Sequence, residues 1–92
     1  MIGLQYVFDK ERAGNILRSL RAKTGKTAEE VADDIGVSRQ TVYAYETGDK
    51  TPTPDNMAAL ATYYQVSVED LFFQLIRVDT GGNDIAFQYQ PK

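Results

Sequence analysis

The sequence predicts a mainly α fold of five short helices, with a small β element made from an N-terminal strand and a C-terminal hairpin. Three observations carry this. Apolar residues recur at helical spacing in several short stretches. Each stretch opens on a Ser, Thr or Asp, and three are followed by Gly25, Gly36 and Gly48. At both ends of the chain the pattern changes to strict alternation.

The first helix runs from Lys10 to Thr24, with Ala13, Ile16, Leu17 and Leu20 on one side, Asp9 as N-cap and Gly25 as the left-handed stop. Thr27-Ala28-Glu29-Glu30 has the form of a capping box, in which the Thr27 hydroxyl and the Glu30 carboxylate each take a backbone amide of the other residue. The second helix then carries Val31, Ala32 and Ile35 inward and ends at Gly36. Ser38 caps a third helix through Val42 and Tyr45 to Gly48, and residues 49–52 form a loop. Thr53-Pro54-Asp55 begins the fourth with an N-cap, a proline at the first helical position and an acid in the first turn. Its inward face is Met57, Leu60, Ala61 and Tyr64. Ser67-Val68-Glu69-Asp70 opens a short fifth helix that places Leu71 and Phe72 against the core.

Ile2, Leu4, Tyr6 and Phe8 alternate as in a strand. Phe73 to Val78 is rich in β-formers, residues 79–84 (DTGGND) read as a turn, and Ile85, Phe87 and Tyr89 alternate again. These last two runs predict a hairpin; in the other reading the fifth helix simply continues through Ile76. The chain thus divides into an N-terminal extension (1–9), a helical domain (10–72) and a C-terminal extension (73–92).

Composition narrows the function. In 92 residues there is no cysteine and no histidine, which excludes a disulfide framework, a zinc finger and any catalysis through His or Cys. The adjacent carboxylates Glu29–Glu30, Asp33–Asp34 and Glu69–Asp70 point in different directions on a helix and cannot face one another as an acid–base pair. No Gly-rich phosphate loop or metal-ligand cluster is present, so no enzyme, cofactor, metal or small-molecule ligand is expected. No apolar run is long enough to span a bilayer, and the N-terminus lacks the features of a signal peptide, so a cytoplasmic protein without membrane contact is expected. With about twenty residues after the fifth helix, no ligand-sensing domain is expected.

Two short helices joined by a tight turn at Gly36, with a longer helix before and another after, make a helix-turn-helix arrangement. Ala32 is small where the two helices cross, and Ile35, Val42 and Tyr45 fix their angle. Ser38 leaves Arg39, Gln40 and Thr41 in an exposed first turn, the part of such a helix that reaches base edges. From Leu17 to Phe72 the chain resembles the Xre/Cro/CI-type helix-turn-helix family of bacterial and phage repressors. The matching text is Leu17-Arg18-Ser19-Leu20-Arg21, Thr27-Ala28-Glu29-Glu30-Val31-Ala32, Ile35-Gly36-Val37-Ser38-Arg39-Gln40-Thr41-Val42, Tyr45-Glu46-Thr47-Gly48, Pro52, Leu60-Ala61 and Val66-Ser67-Val68-Glu69-Asp70-Leu71.

That resemblance implies a five-helix, lambda-repressor-like DNA-binding domain that binds operator DNA as a two-fold dimer. It implies base contacts from Arg39, Gln40, Tyr43 and Ala44, phosphate contacts from Thr27, Ser38, Thr41, Thr47 and Lys50, and an Arg21–Glu46 ion pair tying the first helix to the third. Residue chemistry points the same way. Arg offers a bidentate fork to guanine and Gln one to adenine, each worth about 1–3 kcal/mol of discrimination. Helix-start Ser and Thr leave amides for phosphate. Two positions depart from the family: Ala28 stands where Gln is common after the capping Thr, and Ala44 has no polar reach. Specificity then rests more on Arg39, Gln40 and DNA shape.

Charge runs against a nucleic-acid binder, since 10 Lys and Arg face 13 Asp and Glu for a net −3. The expected DNA face nonetheless carries Lys26, Arg39 and Lys50, opposed by Asp49 and Asp33, while most acids fall elsewhere. About three phosphate contacts give a monomer weak binding and a shallow salt slope. A homodimer doubles them, so the charge balance predicts dimerisation. Candidate interface residues are Leu4, Tyr6, Phe8, Phe73, Leu75, Phe87 and Tyr89, which either pair across a two-fold axis or fold back over the same protomer's helices. The expected function is a transcriptional regulator of the repressor kind with double-stranded DNA as partner. The alternative is an interaction module, such as an antitoxin, that keeps the fold and grips a protein partner with its terminal strands.

Overall fold

Side-chain caps at the helix starts and left-handed residues at most of their ends set the boundaries of the chain's helices. The computed structural model describes residues 2–79, in the order β1 (Ile2–Phe8), α1 (Lys10–Thr24), α2 (Ala28–Ile35), α3 (Arg39–Thr47), α4 (Pro54–Tyr64), α5 (Val68–Phe72) and β2 (Phe73–Asp79). All five N-caps expected from the sequence are present: the side chains of Asp9, Thr27, Ser38, Thr53 and Ser67 each accept from the amide three residues on. Each such cap stabilises its helix by about 1 kcal/mol.

Gly36 turns the chain between α2 and α3 at φ 81°, a value that side-chain-bearing residues rarely adopt. Its amide and that of Val37 both donate to the Ala32 carbonyl, at 2.9 and 3.0 Å, so the turn closes on the last turn of α2. The end of α4 has no such glycine. Gln65 takes the left-handed conformation there (φ 61°) and caps the helix through its amide.

The core sits where the five helices converge. Leu17 of α1, Val31 and Ala32 of α2, Val42 and Tyr45 of α3, Leu60 and Tyr64 of α4, and Leu71 and Phe72 of α5 are all buried. Phe72, Leu71 and Val31 are the most completely enclosed large side chains, and burying each contributes about 1.5–3 kcal/mol. Ala32 is buried at the α2–α3 crossing, as its size requires. Gly14 does the same for α1 and α3: a Cβ there would lie 2.4 Å from the Glu46 carbonyl oxygen and 2.9 Å from that of Tyr45.

The termini form a two-stranded antiparallel sheet, β1 with β2, in an unbroken register from Ile2↔Asp79 through Gln5↔Ile76 to Phe8↔Phe73. The fifth helix does not run on, because Phe73 is already extended (φ −123°, ψ 147°). The partner of Phe73–Asp79 among the described residues is the N-terminal strand. The expected second hairpin strand around Ile85, Phe87 and Tyr89 lies outside the described residues. The strands meet because the Asp9 amide donates to the Phe72 carbonyl (3.2 Å), bringing the start of α1 beside the end of α5. Arg12 Nη1 donates to the Phe73 carbonyl at 3.2 Å, and the Phe8 and Phe73 rings pack edge to face with centroids 5.8 Å apart.

Beyond that base the ribbon leaves the helical body, its packing onto the helices being chiefly with α5. The Cα radius of gyration is 15.6 Å, against about 12 Å for a compact domain of this size. The longest dimension, 50 Å, is more than twice the other two. Within the described residues the two terminal strands pair with each other in the same protomer, Phe8 and Phe73 packing on the core while Leu4, Tyr6 and Leu75 stand exposed.

Candidate nucleic-acid interface

The site is built on α3. Val42, Tyr45 and Glu46 point into the protein, while Gln40, Tyr43 and Thr47 are exposed along the helix and Arg39 is exposed at its first turn. Spacings of three and four residues place Gln40, Tyr43, Ala44 and Thr47 on one face. Ala44 is half-buried and presents only a methyl group.

Ser38 Oγ accepts the Thr41 amide at 3.1 Å and shares a hydrogen bond with Thr41 Oγ1 at 2.8 Å. The amides of Arg39 and Gln40, at the positive end of the helix dipole, remain open to a ligand. Among the described residues, no hydrogen bond or ion pair occupies the side chains of Arg39 or Lys50.

The other expected phosphate-contact residues are more committed. Thr27 Oγ1 accepts the Glu30 amide at 3.0 Å, and Glu30 Oε1 accepts the Thr27 amide at 2.8 Å, completing the capping box. The Thr27 amide is therefore not free, and Glu30 sets a carboxylate at the start of α2. These bonds from the Thr27 backbone and side chain hold the Glu30 carboxyl below its ordinary range. Lys26 Nζ lies 4.0 Å from Asp34 Oδ2, and the Thr47 hydroxyl hydrogen-bonds Asp49 Oδ2 at 3.0 Å. Among the described residues, the least encumbered polar groups on this face are the side chains of Arg39 and Lys50 and the first-turn amides of α3.

Behind this face, Arg21 anchors α3. Its Nε and Nη2 donate to Glu46 Oε2 and Oε1 at 2.6 and 3.0 Å. Nη1 donates to the Lys26 carbonyl at 3.3 Å, and the guanidinium lies 5.9 Å from the centre of the Tyr43 ring. The bond to Glu46 raises the Arg21 pKa above its ordinary value. One side chain thus links the turn before α2, the end of α3 and an exposed aromatic of α3. Asn56 Nδ2 donates to the Tyr45 hydroxyl at 3.1 Å and fixes α4 to the same helix.

Sequence reasoning missed two supports. Arg18 Nη2 donates to the Glu46 carbonyl at 3.3 Å, adding a second arginine at the end of α3. Gly14 permits the close approach that makes both arginine contacts reachable. Its signal was present: glycine inside an amphipathic helix costs about 1 kcal/mol against alanine and calls for a packing reason.

The expected interface candidates separate in the structure. Leu4, Tyr6 and Leu75 are 65%, 51% and 50% exposed on the ribbon, whereas Phe8 and Phe73 pack against their own core. Phe87 and Tyr89 lie outside the described residues. No helix among the described residues is long and apolar enough to cross a membrane, and no group of metal-ligating side chains occurs among them.

Capped short helices, a tight α2–turn–α3 unit and an exposed recognition-type face define a helix-turn-helix domain. Residues 17–71 match the helix-turn-helix family, and the chain belongs to it, in the Xre/Cro/CI branch. It is 38% identical over 55 residues to the cryptic phage CTXphi transcriptional repressor RstR of Vibrio cholerae, a match covering 60% of this chain and 50% of that one. The chain thus spans about half the length of that relative. The restriction-modification controller protein C.AhdI of Aeromonas hydrophila superimposes with a TM-score of 0.63 at 31% identity, over 70% of this chain and 97% of the other. The P22 c2 repressor, solved in complex with a synthetic operator, gives a TM-score of 0.63 at 25% identity, over 64% and 89%.

Proposed function

We propose that the protein represses transcription by binding a two-fold operator as a homodimer in the cytoplasm, with α3 of each protomer in the major groove. The observation that carries this is the solvent-facing side of α3: Arg39 and Gln40 stand in its exposed first turn above free amides, and Lys50 lies beyond its end. In this reading Arg39 and Gln40 contact base edges. Tyr43 packs on the sugar–phosphate edge, Ala44 offers its methyl group, and Ser38, Lys26 and Lys50 meet phosphates. Thr27, Thr41 and Thr47 contribute chiefly through the local geometry they maintain. The P22 c2 repressor, bound to its operator, supports the docking by likeness of fold.

The geometry predicts modest affinity for one protomer. Lys26 is partly offset by Asp34, and Asp49 sits beside Thr47. Two protomers on half-sites roughly 34 Å apart double the contacts. Selection from a random duplex pool, with binding followed against salt, tests the reading: it expects a palindrome with half-sites about 10 bp apart. An unenriched pool at low salt, together with a co-purifying protein, would instead favour the interaction-module reading, for which Ala28, Ala44 and the net charge of −3 are the motivating features.

A further inference from the structure

Among the described residues, β1 is an edge strand without the usual protection. Its seven residues, Ile2 to Phe8, include no charge and no proline, and its pairing with β2 runs without a bulge. Proteins that remain monomeric guard such edges with lysine, proline, bulges or a covering segment. A two-stranded ribbon is also marginal by itself in water, while three or more strands are needed for independent stability. This ribbon projects from the helices with Leu4 and Tyr6 more than half exposed.

We propose that β1 pairs with β1 of a second copy, antiparallel about a two-fold axis at Gln5, making a four-stranded sheet ordered β2-β1-β1-β2. The inference rests on the homodimer of the preceding section and names its surface. The occupant is argued from the strand's own symmetry. With the axis at Gln5, Leu4 of each copy meets Tyr6 of the other, Gln5 meets Gln5, and Gly3 meets Val7. Apolar residues thus face apolar ones, and the single polar pair can hydrogen-bond to itself. An isologous contact requires this self-complementarity. Charge argues the same way: among ribbon residues 3–78 the one charged side chain is Arg77, which sits on β2 opposite Leu4 and away from the β1 edge. A charged peptide finds no counter-charge on β1.

The ribbon is roughly 23 Å long, so this contact is small beside the roughly 1,600 Å² of a standard interface. The dimer therefore forms at micromolar concentrations in solution and is reinforced on DNA that offers two half-sites.

Sedimentation equilibrium of the full chain tests the pairing with two double variants. Leu4→Glu/Tyr6→Glu sets like charges opposite each other at both cross-axis contacts and raises the dimer dissociation constant by roughly tenfold or more. Leu4→Glu/Tyr6→Lys sets opposite charges at the same two contacts and restores the dimer. In both, the position 4 carboxylate faces Arg77 within the chain, so the ribbon itself is not opposed. A wild-type protein that stays monomeric through the micromolar range, a dimer unaffected by Leu4→Glu/Tyr6→Glu, or two equally monomeric variants would each overturn the pairing. Binding to a duplex with one half-site reports on α3 alone, so a failure of the DNA reading is seen separately.

Discussion

Arg21 and Glu46 form a two-point ion pair, 2.6 and 3.0 Å, between the first helix and the end of the third, with 20% of the arginine side chain exposed and only 5% of the glutamate. That difference in burial makes the pair asymmetric. Removing Arg21 leaves a buried carboxylate whose remaining neighbour, Arg18, reaches only its backbone carbonyl. Removing Glu46 leaves a guanidinium that can turn toward water.

Urea unfolding should therefore show Arg21→Ala costing about 3 kcal/mol and Glu46→Ala less, about 1–2 kcal/mol. Equal losses would show that the two charges are equally solvated.

Gly14→Ala should destabilise the fold by about 2–3 kcal/mol, although alanine is the better helix former by about 1 kcal/mol. The reason is the 2.4 Å approach of the added methyl group to the Glu46 carbonyl, a backbone atom that cannot move without shifting α3. Thermal and urea unfolding check this, and a more stable variant would mean that the helices part without cost.

Two ionisable groups set opposite pH limits on stability. Glu30 has a lowered pKa in the folded state, so its contribution is present above the unfolded value near 4.5 and is lost as pH falls through the folded one. The stability difference between wild type and Glu30→Gln should shrink over that acid range. Tyr64 is pushed up to about 12 by burial, so the folded state favours its neutral form. Its contribution is full below pH about 10 and is lost as pH rises through about 12. Tyr64→Phe should remove part of that alkaline loss, measured by unfolding at fixed pH values.

What the sequence disclosed and what it withheld divide along one line. The five N-caps, the Thr27–Glu30 box and the turn at Gly36 are set by neighbours within four residues, and all were readable. So was the inward stripe of each helix. The pairing of β1 with β2 joins residues more than sixty apart, and alternation marks a strand without naming its partner. Arg18 matters only because α3 lies across α1, a relationship no local pattern contains, and Gly14 stood out as a helix-interior glycine without naming the helix it meets. Gln65 ends α4 in a left-handed conformation that glycine would have announced. On the DNA face, residue type alone could not tell that the Thr27 amide is engaged by Glu30 while those of Arg39 and Gln40 are open.

The central claim is that α3 reads sequence through Arg39 while Lys50 holds the backbone. Once a selected operator is in hand, the decisive measurement is the affinity of wild type, Arg39→Ala and Lys50→Ala for every single-base variant of it, at two salt concentrations. Arg39→Ala should lose about 1–3 kcal/mol of discrimination at one position per half-site and leave the other preferences intact. Lys50→Ala should weaken all sequences alike and lower the salt slope by about one for each phosphate that is no longer neutralised. If both substitutions shift every sequence by the same factor, α3 does not read bases through Arg39 and the account is contradicted.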